Sequence, residues 1–334
     1  MSRMKNDQAE TRSEERFLDQ TLRPRSFDEY VGQGKIKENL KILIKAAKER
    51  GHSPDHLLFY GPPGLGKTTL AHLISLETES SMKSTSGPAI EKVGDIASIV
   101  SNLSPGDILF IDEIHRLNKA IEEVLYPAME SGVLNIILGK GPSARTIQLD
   151  LPPFTLIAAT TRIAMLSSPL RSRFSGGIFQ MDFYNDNDIK KILARSAKIL
   201  SIEVTTEALE EISCRSRATP RTANYLLKRC RDLAQLSKQK IDSEIANKTF
   251  ELLGIDRVGL NDSDRRLLRT LSEKFGGGPV GLNTLAASLS EDEATIEEYN
   301  EPYLLQKGFI ERTPRGRLIT QAGLRHVHGG LFGN

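Results

Sequence analysis

The chain has 334 residues, 26% charged and 39% hydrophobic, enough for two or three domains with their own cores. A net charge of +2 excludes a polycation, so any contact with nucleic acid must come from local clusters. The two cysteines, Cys214 and Cys230, form no close pair, which argues against a disulfide framework or a zinc site and suits a reducing cytoplasm; no apolar run approaches membrane-spanning length.

Residues 1–20 are charged and poor in apolar side chains, and read as a mobile arm rather than a signal peptide. The turn Tyr30-Val31-Gly32-Gln33 reads as helix entry or as an apolar adenine pocket. A helix over 35–50 follows, with Ile36, Leu40, Leu43, Ile44 and Ala47 on one face. The run His56-Leu57-Leu58-Phe59-Tyr60 predicts a strand, and Thr69 to Ile74 a helix. Between them stands Gly61-Pro62-Pro63-Gly64-Leu65-Gly66-Lys67-Thr68, which fits Gly, four residues, Gly-Lys-Thr. In a strand–loop–helix setting this spacing predicts a phosphate-binding loop. Backbone N–H groups freed by glycine converge on phosphate oxygens at a helix N-terminus. Lys67 would reach the β- and γ-phosphates of ATP, and the Thr68 hydroxyl would ligate Mg²⁺.

A helix is predicted over 92–103. Ile108-Leu109-Phe110-Ile111 then ends in Asp112-Glu113, the pattern of a buried parallel strand with acids at its C-terminal end. Asp112 would sit near the metal and Glu113 would polarise a water, although two such acids can also cap a helix. After a helix over 118–130, the apolar-rich runs 133–138 and 146–149 predict a β-hairpin. Either it protrudes, leaving Leu134, Ile136 and Ile137 partly exposed for a partner, or it packs on its own domain. The strand over 154–161 ends in Thr160-Thr161, where Thr160 could orient water, sense the γ-phosphate or simply cap the strand. Arg171 and Arg173 on the next turn offer guanidinium forks for phosphate, or surface ion pairs.

From Asn185 strands give way to helices at about 186–200, 206–217, 220–238 and 242–253, predicting a small lid domain. Pro220-Arg221 opens one of them, so Arg221 could reach nucleotide from the lid. Beyond a boundary near Gly254–Gly259, three short helices at 263–275, 282–289 and 294–305 precede two strand-like runs around a basic turn. That is a winged-helix pattern. Its third helix carries Glu293, Glu297, Glu298 and Glu301, whereas the wing carries Arg312, Arg315 and Arg317. DNA contact is therefore expected through the wing, with weak sequence preference and strong salt dependence, or the wing is only a soluble charged hairpin. His326-Val327-His328 reads as a polar tail rather than a metal site, and 329–334 as a disordered end.

These parts describe an α/β P-loop nucleoside-triphosphatase of the AAA+ type with a helical lid and a C-terminal winged helix. The expected domains are 21–184, 185–256 and 257–330. The strings Tyr60 to Thr69, Thr85 to Lys92, Phe110 to Leu117, Leu125 to Glu130, Leu149 to Ile157, Phe275 to Gly281 and Arg312 to Arg317 closely resemble the RuvB family, ATP-driven motors of Holliday-junction branch migration. The resemblance runs from about residue 21 to 325. It implies a cytoplasmic six-membered ring around duplex DNA, acting in recombination and repair, with ATP and Mg²⁺ at subunit interfaces. It assigns phosphate and metal to Lys67, Thr68 and Asp112, hydrolysis to Glu113, polar sensing to Thr160 and an arginine finger to Arg173. Leu22, Arg23, Gly64, Gly66, Thr69, Tyr184 and Arg221 would bind the nucleotide. The hairpin 133–149 would dock on the junction-binding partner, RuvA, and Arg312, Arg315 and Arg317 would grip DNA. Three departures stand out: an extra residue in Ser175-Gly176-Gly177, no basic residue in Glu291-Asp292-Glu293-Ala294, and Asn135 and Ser143 in the hairpin. The alternatives are an AAA+ clamp loader or initiator that uses ATP as a loading switch, and a non-motor assembly that ATP merely stabilises.

Overall fold

The computed structural model describes residues 20–138 and 145–329. The expected arm (all but residue 20), the hairpin turn with Ser143 and the tail beyond Gly329 lie outside the described residues. Contacts divide the chain into two compact units. One holds the described residues up to Gly61 with Gly66–Asp182; the other holds Pro62–Leu65 with those from Phe183 on.

In the first unit a five-stranded sheet has the order β2-β3-β6-β1-β7, every neighbouring pair parallel. β1 (Leu57–Tyr60), β3 (Ile108–Asp112) and β6 (Thr155–Thr160) are the inner strands. Their uninterrupted apolar runs suit them to burial on both faces. β2 (Met82–Ser86) and β7 (Gly177–Gln180) form the edges. Around them lie α1 (Gly34–Arg50), α2 (Lys67–Glu77), α3 (Val93–Ser101), α4 (Lys119–Ser131) and α5 (Ser168–Ser172). α1 buries Ile36, Leu40, Ile44 and Ala47 and stops at Gly51, whose φ of 68° favours glycine. Asn118 caps α4 by accepting from the Ile121 amide at 3.0 Å.

β4 (Val133–Leu138) and β5 (Arg145–Asp150) form the predicted antiparallel hairpin. At its base it packs on its own domain, the second of the two arrangements expected. Leu134 is fully buried and joins the core with Leu125 and Leu156, while Ile147 and Leu149 are exposed. The side chains of Ile136 and Ile137 lie outside the described residues. Ser175-Gly176-Gly177 forms a tight turn after Arg173, in which Gly177 N donates to Phe174 O at 3.1 Å and Gly176 N to His56 O at 2.9 Å.

The second unit begins with α6 (Asp186–Ile199), α7 (Thr206–Arg215), α8 (Pro220–Ser237) and α9 (Ser243–Leu252). Asn185, Thr205, Thr219 and Asp242 each N-cap one of them through a side-chain oxygen. A separate core around Leu260, Leu268, Leu285, Ile296 and Leu304 follows. It is built from α10 (Asp262–Arg269), α11 (Leu282–Leu289), α12 (Glu293–Thr295) and α13 (Glu301–Gln306), the wing strands β8 (Ile310–Thr313) and β9 (Gly316–Ile319), and α14 (Gln321–His328). α14 corrects the polar-tail expectation: His326 stacks on Phe309, 4.9 Å between ring centres, and its Nε2 lies 2.8 Å from the buried Asp256 Oδ2.

Candidate nucleotide site and winged-helix interface

A parallel sheet offers ligands the C-terminal ends of its strands. Here β3, β6 and β1 lie side by side, and Asp112, Thr160 and Tyr60-Gly61 stand at those ends. Gly61 N donates to Thr160 O at 3.2 Å, pinning the start of the loop to the neighbouring strand. Gly61, Gly64 and Gly66 take φ of 140°, 82° and 101°. Side-chain-bearing residues rarely adopt these values, so glycine is what lets the loop curl. Lys67, only 8% exposed, donates from Nζ to Gly61 O at 2.7 Å. That bond ties its ammonium to the residue with which the loop begins. Thr68 and Thr69, half-buried in the first turn of α2, follow at the end where the helix dipole is positive.

Glu113 takes a left-handed φ of 49°, and its amide donates to Asp112 Oδ1 at 2.9 Å. The turn separates the two carboxylates by role: Asp112 is tied to the strand end, while the Glu113 side chain is 46% exposed and 3.5 Å from Arg116. Among the described residues no group of three or more His, Cys, Asp or Glu side chains is placed to hold a metal. One carboxylate and one hydroxyl suit Mg²⁺, which keeps few protein ligands and takes the rest from phosphate and water.

Thr160 is placed differently from a free sensor. Its Oγ1 accepts from Arg162 N at 2.9 Å and lies 3.0 Å from His115 Nδ1, and the residue is 1% exposed. The neighbouring Thr161 Oγ1 is buried with no partner. The sequence reading assigns polar sensing to Thr160; the orphaned hydroxyl beside it is a structural signal that no sequence pattern carries. His115, a buried contact of the sensor strand, was also missed, and only its position just after the two acids hinted at it.

Arg173 caps the end of α5 and turns back onto its own unit. It pairs with Glu130 at 3.1 Å, donates to Pro169 O at 2.7 Å and lies over the Tyr126 ring at 4.7 Å. Leu22 is 5% exposed. Arg23 joins burial in lowering the His72 pKa, as the lesser of the two causes. Tyr30 is buried, with its hydroxyl 3.0 Å from where a Gly66 β-carbon would stand. Within the second unit, Tyr184 donates its hydroxyl to Leu65 O at 3.2 Å, and Arg221 N donates to Gly64 O at 3.4 Å.

The wing pairs its cations with the helix behind it. The fully buried Glu301 accepts from Arg312 Nε at 2.7 Å and Arg317 Nε at 2.5 Å, and Glu297 lies 3.5 Å from Arg317. Two of the three wing cations therefore neutralise the acidic helix behind them, and Arg317 keeps only 14% of its side chain exposed. Arg315, at the turn, is exposed.

Family profiles match three consecutive stretches: the Holliday junction DNA helicase RuvB P-loop domain over 22–180, the RuvB AAA lid domain over 184–256 and the RuvB C-terminal winged-helix domain over 257–328. The chain belongs to the RuvB family. The Holliday junction branch migration complex subunit RuvB of Dehalococcoides mccartyi is 55% identical over 311 residues, covering 93% of this chain and 89% of its own length. The structure of the Thermotoga maritima RuvB Holliday junction branch migration motor superposes with a TM-score of 0.84 at 49% identity, over 92% of this chain and 98% of that one. A point mutant of the same protein gives 0.85 over the same shares. As a RuvB-family chain with a P-loop ATPase domain, the protein is a nucleotide-binding ATPase. Among the described residues no helix is long and apolar enough to cross a membrane.

Proposed function

We propose that this RuvB-family ATPase drives branch migration of Holliday junctions in recombination and repair, as a cytoplasmic ring of six subunits around duplex DNA. The observation that carries the reading is the gathering, at one end of three adjacent parallel strands, of the buried Lys67, the acids Asp112 and Glu113 and the threonine pair. Lys67 and the loop amides from Gly64 and Gly66 hold phosphate, with Thr69 behind them. Thr68 and Asp112 would hold Mg²⁺, which when bound would supply positive charge to the phosphate oxygens. The family resemblance assigns Leu22, Arg23, Tyr184 and Arg221 to the nucleotide. Glu113 takes the water's proton or orients it, from an exposed carboxylate that nothing buries. Thr160 fixes the sensor strand through His115, leaving Thr161 to meet the γ-phosphate. Arg173 acts on a neighbouring subunit's nucleotide, which ties hydrolysis to ring assembly.

The hairpin 133–149, with Ile147 and Leu149 exposed, faces a RuvA-type partner. DNA is gripped by the wing, with Arg315 as its outward cation and Arg312 and Arg317 setting its shape. The chain is organised as ATPase, lid and winged-helix domains with boundaries near 184 and 256. The test is Glu113→Gln in the assembled protein. It should keep nucleotide binding, lose about 10²–10⁴-fold in hydrolysis and stop migrating junctions. A variant that migrates junctions at the wild-type rate refutes the assignment.

A further inference from the structure

The segment Arg217–Arg221 leads into α8 and is engaged at both ends. Arg217 and Ala218 take consecutive positive φ of 54° and 53°, a conformation that disfavours residues with a β-carbon. Something must hold them there. On one side the segment rests on the phosphate loop. Arg221 N donates to Gly64 O, and a β-carbon on Gly64 would stand 3.1 Å from Arg221 Cβ and 3.5 Å from Thr219 Cβ. Tyr184 braces the same join: its amide donates to Ala218 O at 3.0 Å and its hydroxyl to Leu65 O at 3.2 Å.

On the other side Arg217 reaches into the winged helix. Its guanidinium pairs with Asp264, donates to Tyr299 O at 2.9 Å and lies 5.0 and 4.7 Å from the ring centres of Tyr299 and Tyr303. Its side chain is 11% exposed and Asp264 is fully buried. Asp264 also accepts from Asn261 N at 3.1 Å and Asn300 Nδ2 at 2.8 Å, so one guanidinium links the start of α10 to the π-helical stretch Ile296–Asn300 that runs into α13. The join beside it is stiff. A β-carbon on Gly259 would come within 2.7 Å of Arg215 O, and Arg265 donates to Gly254 O at 2.7 Å and Leu260 O at 2.8 Å.

We infer that Arg217 is a coupling residue: it passes displacement of the phosphate loop to the winged helix. A buried, forked and stacked guanidinium resists reorientation, so motion at one end is transmitted rather than absorbed. The inference rests on the motor reading, because coupling matters only if nucleotide turnover moves DNA. Neither Arg217 nor its partners touch nucleotide or DNA in that reading, so a purely structural role and a coupling role have different signatures.

The test compares wild type, Arg217→Ala and Arg217→Lys for ATPγS affinity, duplex affinity, ATP turnover and junction migration per ATP hydrolysed. Arg217→Ala should keep both affinities within about threefold while migration per ATP falls about tenfold, inside the usual range of site-to-site coupling. Arg217→Lys keeps the charge but not the fork or the stacking, and should fall between. Unchanged migration per ATP in Arg217→Ala overturns the inference. Amide hydrogen exchange of the wild type, with and without ATPγS, reads the coupling directly and does not depend on a variant that folds. Residues 296–306 should change protection with nucleotide, and no change there overturns the inference. A wild type that turns over ATP and shows this response without migrating junctions refutes the motor reading instead.

Discussion

The sheet end of the first unit and the wing of the second both carry charged motifs, and they use charge in opposite ways. At the sheet end the ammonium of Lys67 is held by a carbonyl, the Glu113 carboxylate is half exposed, and the Thr161 hydroxyl has no partner. Here one buried hydroxyl lacks a partner and one carboxylate stays half in solvent. At the wing, Arg312 and Arg317 close on the buried Glu301, and the charge is consumed in holding the fold. A charged residue in a motif is therefore functional or structural according to what packs behind it, and the strand register shows which. Ile310 pairs with Ile319 and both are buried; Arg312 pairs with Arg317, two residues on, where Arg317 is 14% and Arg312 49% exposed.

The contrast can be broken most sharply at Arg173. If Arg173 reaches the phosphate held at a neighbour's sheet end, Arg173→Ala should bind ATP normally and lose about 10³–10⁵-fold in turnover. Wild-type turnover per subunit should rise with protein concentration. A flat rate and an unaffected variant would pass the role to Arg171, or dismiss the ring. The next largest effect belongs to the wing. Glu301→Ala strands two arginines beside a cavity and should lower stability by about 3–5 kcal/mol in urea unfolding of the second unit, with ATP affinity unchanged. A loss below about 1 kcal/mol would show that the ion pairs are solvated and that the wing cations are available after all.

Acid should weaken the first unit through His56. Burial, opposed by the Met129 carbonyl and by Asp55, lowers its pKa from the ordinary 6.5. The neutral ring accepts from Leu156 N at 2.8 Å and donates to Met129 O at 3.0 Å, which ties β6 to α4. The folded state therefore binds this proton less readily than the unfolded state. The contribution is present above pH 6.5 and is lost as pH falls below it, by at most about 1.4 kcal/mol per unit. Thermal unfolding of wild type and His56→Gln against pH checks this: the variant should lack that part of the slope. The smallest effect is expected at Arg315. Arg315→Ala should reduce the salt slope of duplex binding by about one, uniformly across sequences. No change would leave DNA contact to another surface.

The inner strands were legible because a parallel strand buried on both faces is a continuous apolar run, as in Ile108-Leu109-Phe110-Ile111. The edge strands were not: Met82-Lys83-Ser84-Thr85-Ser86 is polar and half exposed, and Gly177-Ile178-Phe179-Gln180 is short. The phosphate loop was legible because backbone geometry demands glycine at fixed spacing. Charge counting along the wing could not show that Arg312 and Arg317 share a buried partner, Glu301, because that pairing depends on strand register.

The order of residues alone determined the RuvB resemblance, the loop, the acidic strand end, the helical lid and the winged helix, since these follow from local spacing and periodicity. The tertiary structure decided which polar groups have partners. Thr160 meets His115 across 45 positions, and Arg217 meets Asp264 across 47. Leu134 sinks into the core while Ile147 and Leu149 stay outside. Burial and pairing depend on neighbours distant in the chain, so no local pattern could state them.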